Sequence, residues 1–111
     1  MARSFRLTRR AEDSLVDIAR WTIDRFGPRQ AELYKAELLA RCEAIAGGEA
    51  HSRSCSVLLD AAQHLKYLRA GEHFLVFVER PEEVIIVDVL HSRSDLPRHI
   101  AALTTRRGED G

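Results

Sequence analysis

The stretch HFLVFVERPEEVIIVDVLH, residues 73 to 91, holds two strand-length runs that are apolar at nearly every position. Successive side chains of a strand point to opposite faces. In the second run Val84, Ile86 and Leu90 therefore share a face with Asp88, and Ile85, Val87, Val89 and His91 share the other. In the first run Phe74, Val76 and Val78 oppose Leu75 and Phe77. An antiparallel sheet with one wet face alternates apolar and polar residues, and this one does not, so both of its faces must be covered. The separators AGE and RPEE are short and turn-like. With QHLKYLR (63 to 69) as a further strand, they predict a three-stranded antiparallel meander.

The chain before the meander supplies one cover. SFRLT alternates apolar and polar residues as a short strand does, and Thr8 is placed to cap a helix whose first turn carries Glu12 and Asp13. Ala11, Leu15, Ile18, Ala19, Thr22 and Phe26 recur at helical spacing along one stripe. Gly27 and Pro28 then end one helix and begin another. The second runs from about Arg29 to Ala46, with Ala31, Tyr34, Leu38, Cys42 and Ile45 on its stripe. So short a link makes the two helices an antiparallel hairpin. Trp21, Ile23, Leu33 and Leu39 fall outside or at the margin of both stripes.

Residues 47 to 62 show no sustained period and are expected to form a mobile or functional loop. Asp95 to Leu103 reads as a short helix with Asp95 as N-cap and Pro97 in its first turn, followed by a frayed tail. The expected fold class is α+β: a strand, a helical hairpin, a three-stranded meander and a short C-terminal helix. A chain of 111 residues suits a single domain, 1–111, with its core at about 3–103. The hairpin covers only one face of the sheet. The C-terminal segment, a second copy or a partner must cover the other.

Composition excludes several classes. No apolar stretch approaches the roughly 20 residues that span a bilayer, and the basic start is followed by no signal-peptide core, so a cytoplasmic location is expected. The formal net charge is zero, which removes the simplest case for a generally basic, nucleic-acid-binding surface. Cys42 and Cys55 have no second pair, and the five histidines lack the close spacing of a helical zinc motif. No metal and no cofactor is expected.

The end of the last strand, LHSRSD, places His91, Arg93 and Asp95 close together. Cleavage of RNA by acid-base chemistry needs a proton acceptor, a donor and cations to hold the charge that develops on phosphorus. Lys66, Arg69, His73, Arg80, His91 and Arg93 lie in or beside the sheet and are the residues that would form such a set. The plainer reading of each weighs more: Arg69 and His73 flank a hairpin turn and favour water, and Arg93 and Asp95 belong to a turn that launches a helix.

The segments FRLTRRAEDSLVDIARWTIDRFGPRQAELYKAEL and LRAGEHFLVFVERPEEVIIVDVLHSRSDLPRHI, with their "FG…QA…Y" junction and "LH.R.D" ending, resemble the RelE/ParE superfamily of toxins from bacterial toxin-antitoxin pairs, and its ParE branch most. The resemblance spans about residues 3 to 103 and leaves the middle loop unmatched. It implies a toxin held inactive by a ParD-like antitoxin, whose helical C-terminal segment lies across an apolar groove. The groove residues it implies are Leu15, Trp21, Leu33, Leu39, Phe77 and Val87. His91, Arg93 and Asp95 are the implied contacts to a target. That target is DNA gyrase for ParE-type toxins, bound without catalysis, whereas RelE-type relatives cleave messenger RNA on the ribosome. Such nucleases add a tyrosine or histidine after the last strand and a basic cluster. This chain has only Tyr34 and Tyr67 and two lysines, which favours the ParE reading. His91 and Arg93 are the catalytic pair of the alternative reading, and a non-toxic, antitoxin-binding remnant is the third.

Overall fold

The computed structural model describes residues 3–57 and 64–105. In chain order the elements are β1 (Ser4–Leu7), α1 (Arg9–Phe26), α2 (Pro28–Ala46), β2 (Arg53–Ser54), a 3-10 turn (Cys55–Val57), β3 (Lys66–Ala70), β4 (His73–Glu79), β5 (Glu83–His91) and α3 (Leu96–Thr105). They form one five-stranded sheet in the order β1-β5-β4-β3-β2. β1 runs parallel to β5, and the other neighbours are antiparallel.

Local chemistry accounts for the hairpin. The Thr8 hydroxyl accepts from the Ala11 amide at 3.2 Å, so an N-cap opens α1 where the threonine stands. Gly27 takes φ +92°, a left-handed backbone that favours glycine, and Pro28 begins α2 at the position where a missing N–H costs nothing. At the far end Arg3 donates to the Ala46 and Ile45 carbonyls at 3.0 and 3.1 Å and to Glu79 at 2.9 Å. One guanidinium thus satisfies the open carbonyls of α2 and ties them to β4. Lys66 shares Glu79, and its hydrogen bond is the main reason that carboxyl sits below its usual range.

The sheet is buried on both faces, as its sequence requires. Leu38, Cys42 and Ile45 of the hairpin pack with Leu68, Leu75, Phe77, Val84, Ile86 and Val89 on one side. On the other, Leu96 and Ile100 of α3 pack with Val76, Ile85, Val87 and Leu90. The C-terminal helix is therefore the second cover, and Ile100 is fully buried beneath it. It runs two residues past the expected end at Leu103.

Several local expectations are corrected. The strict alternation along β5 fails, because Val76 pairs with Asp88 while Phe77 pairs with Ile86, leaving Val87 as the extra residue of a bulge. After the bulge the faces exchange: Val89 joins Val84 and Ile86 under the hairpin, and Leu90 joins Ile85 and Val87 under α3. The bulge is held from both sides. The Thr8 hydroxyl donates to the Val87 carbonyl at 3.0 Å, and Ser14 of α1 donates to the buried Asp88 carboxylate at 2.6 Å. Burial raises the Asp88 pKa, against the pull of the hydrogen bonds it accepts from Ser14 and the Val89 amide. The aperiodic loop contains β2, a strand too short for its pattern to register. β3 begins at Lys66, not at 63. Phe26, placed on the core stripe by its spacing, is 64% exposed. Part of the loop (58–63) and most of the expected frayed tail (106–111) lie outside the described residues.

Candidate functional site

Three places on the fold gather chemistry. The first is where β4 begins and β5 ends. His73 and His91 are cross-strand partners, their rings 5.2 Å apart in an edge-to-face arrangement. Tyr34 of α2 reaches over the turn to them: its hydroxyl oxygen accepts from the Glu72 amide at 2.9 Å and lies 2.6 Å from His73 Nδ1. The donor in this contact follows the His73 tautomer: the hydroxyl donates to a bare Nδ1, or accepts from Nδ1–H and turns its own hydrogen to the Ala70 carbonyl at 3.4 Å. Gly71, at φ +60°, lies against the tyrosine, and a Cβ there would come within 2.8 Å of the ring and hydroxyl.

His73 was expected to favour water beside its turn and is instead buried, because Tyr34 covers it. Burial, and then the neighbouring His91, lower its pKa to about 4. Burial also raises that of Tyr34. The pair is thus neutral near pH 7 and braces the turn.

His91 is exposed, and its Nδ1 accepts from the Arg93 amide at 3.0 Å. Asp95 accepts from the Arg98 amide at 3.4 Å, near the long limit for a hydrogen bond, as the cap of α3. Of the three residues of the LHSRSD ending, only His91 and Arg93 are joined by a hydrogen bond, and it goes to the Arg93 backbone. The wider basic set is dispersed. Lys66 is paired with Glu79 and stands opposite Phe77, whereas His91 stands opposite His73, roughly 13 Å away along β4.

The second place is the exposed apolar surface of the hairpin. Val16, Trp21, Ile23, Phe26 and Leu33 are between 44% and 64% exposed. Trp21 meets Phe26 edge to face at 6.0 Å between centroids, and the Arg25 guanidinium lies 5.0 Å above the Trp21 ring. Among the six residues implied for a groove, Trp21 of α1 and Leu33 of α2 are exposed, and Leu39 is half-buried. Leu15 packs partly buried against the core. Phe77 and Val87 are corrected: Phe77 is 1% exposed beneath the hairpin and Val87 8% exposed beneath α3, so the fold itself consumes both. Phe26 and Arg25 were missed. Stripe periodicity identifies a face of a helix but not how far along the helix the core extends.

The third place is a cleft of about 440 Å³ along β3, bordered by Leu96 at the start of α3. Arg41, His51, Arg53 and Arg69 line it together with Tyr67 and Phe74. The unrecognised β2 is what brings Arg53 opposite Tyr67.

Among the described residues no grouping of three or more His, Cys, Asp or Glu is placed to hold a metal, and no helix is long and apolar enough to cross a membrane. Cys42 and Cys55 are free and buried, and burial pushes both thiols up to about 11, away from thiolate chemistry.

A family model described as the ParE toxin of the type II toxin-antitoxin system parDE matches residues 5–96. The chain is 32% identical over 96 residues to Toxin ParE of Escherichia coli, covering 86% of this chain and 90% of that one. It also resembles a solved chain of the chromosomal ParDE TA system from P. aeruginosa, with a TM-score of 0.67 at 16% identity over 81% of this chain and 96% of that one. At that identity the structural match speaks for the fold.

Proposed function

Because this chain belongs to the ParE toxin family of type II toxin-antitoxin systems, we propose that it inhibits DNA gyrase by protein contact and is silenced by a ParD-like antitoxin. The observation that carries this reading is the exposed apolar surface of the hairpin. Trp21 and Phe26 are exposed in edge-to-face contact with an arginine stacked on the tryptophan, Leu33 is exposed on α2, and tryptophan and arginine are enriched among residues that dominate binding energy. An amphipathic helix laid along this surface would cover the side chains that α3 and the sheet leave open. In this reading the chain is one domain, works in the cytoplasm where gyrase acts, and rests as a hetero-oligomer with its antitoxin. His91, Arg93 and Asp95 are the proposed contacts to the target.

The test is gyrase supercoiling with purified protein. Inhibition at micromolar concentration, relieved by adding the antitoxin and weakened by His91→Ala, is the expected outcome. Unchanged supercoiling would sink the gyrase half of the reading. The exposed position of His91 gives the ribonuclease alternative its one foothold. Cleavage of ribosome-bound messenger RNA that His91→Ala abolishes would install that reading instead. Growth that continues after induction without antitoxin would leave only the non-toxic remnant.

A further inference from the structure

We infer that the cleft along β3 binds a nucleotide unit, its phosphate held by arginines and its base against the Tyr67 and Phe74 rings. The inference does not rest on the gyrase reading. Strand register builds the site: Arg53 is the cross-strand partner of Tyr67, and Arg69 that of Phe74. Directly opposed residues share a face. Tyr67 and Phe74 both belong to the face that α3 partly covers, so the four side chains interleave two cations with two rings on that face.

The rings meet edge to face at 5.7 Å and both remain partly exposed. Arg41 adds a third guanidinium from α2, with Nη2 3.2 Å from the Arg69 carbonyl, and His51 a fourth polar group. Among the described residues the lining holds no carboxylate. Arg69 donates from Nε to the Gly71 carbonyl at 3.0 Å, and its Nη2 lies 3.9 Å from Glu72, an exposed pair that competes weakly with an incoming anion.

The chemistry selects the ligand. Guanidinium forks suit phosphate and carboxylate alike, so the arginines alone call for an anion. The rings narrow the choice, because single-stranded nucleic acids are held by stacking on aromatic side chains beside cations that track the backbone. A cleft of about 440 Å³ falls in the range of small-ligand sites. Zero net charge over the chain does not oppose this, since attraction at a cleft follows the local charges.

The test is fluorescence anisotropy with the full chain and labelled hexathymidylate or hexauridylate, with thymidine 5′-monophosphate and hexa-aspartate as competitors. Binding that weakens with salt is expected. Arg53→Ala, at an exposed side chain, is expected to weaken it about tenfold and to reduce the salt slope by about 0.7. Tyr67→Leu, checked for an unchanged melting temperature, is expected to weaken it at least about fivefold. The order of affinity among the three nucleotide probes identifies the source as DNA, RNA or a free nucleotide. Two results overturn the proposal: no binding of any nucleotide probe below about 1 mM, or equal competition by hexa-aspartate with Tyr67→Leu unaffected. The second would leave a bare cationic patch. Lost gyrase inhibition with intact oligonucleotide binding, or the reverse, separates this site from the proposed toxic activity.

Discussion

His73 is neutral in the folded chain down to about pH 4, whereas the unfolded chain protonates it near 6.5. The folded pKa is the lower, so between these values the unfolded state holds the extra proton, and stability falls as pH falls. The loss is on the order of 3 kcal/mol once both values are passed. Denaturant midpoints of the wild type and His73→Phe at pH 7 and pH 4.5 should therefore converge or cross, because the variant lacks this slope. The difference between the two proteins isolates His73 from Asp88, whose raised carboxyl acts in the opposite sense. Equal pH dependence in both would dismiss the effect. Gly71 makes a second prediction. Its positive φ and the Tyr34 ring leave no room for a methyl, so Gly71→Ala should cost about 1 to 3 kcal/mol in urea unfolding. Tyr34→Phe, which keeps the ring, should cost less.

At the scale of elements, Ile100→Ala removes the fully buried side chain that seats α3, and thermal or denaturant unfolding should show a loss of about 2 to 5 kcal/mol. Leu33→Ala on the open face of the hairpin should stay within about 0.5 kcal/mol of wild type and yet weaken antitoxin binding, as titration calorimetry would show. A stability loss matching that of Ile100→Ala would mean that Leu33 belongs to the fold. Elements with strong local signals were legible in the sequence. Thr8, Gly27-Pro28 and the two stripes specify the hairpin through caps and periodicity that need no distant partner. The need for a second cover could also be read from β4 and β5. What stayed hidden depends on pairing. β2 is too short to show a period, the bulge is visible only against β4, and His73 is buried by a tyrosine from another element.

For the whole molecule, the two core clusters of the described residues lie on the two faces of the sheet, while Trp21, Phe26 and Leu33 of the hairpin stay exposed. Phe77 and Val87 look like surface candidates when a strand is read alone, but each is enclosed once both covers are in place. The candidate sites were accordingly less legible than the fold. Trp21 and Leu33 could be found as residues that no stripe claims. The arginine-aromatic set could not, because it exists only through the Arg53–Tyr67 and Arg69–Phe74 pairings.

The bulge at Val87 adds a residue to β5 without adding a rung to the ladder. Removing that one residue would set Asp88 directly after Ile86 opposite Val76 and Phe77, restoring regular alternation with Val89, Leu90 and His91 still opposite Leu75, Phe74 and His73. Thr8 would at the same moment lose the carbonyl it holds. What Val87 supplies is therefore a carbonyl and a side chain at one point of the sheet, not the register of the strand beyond it.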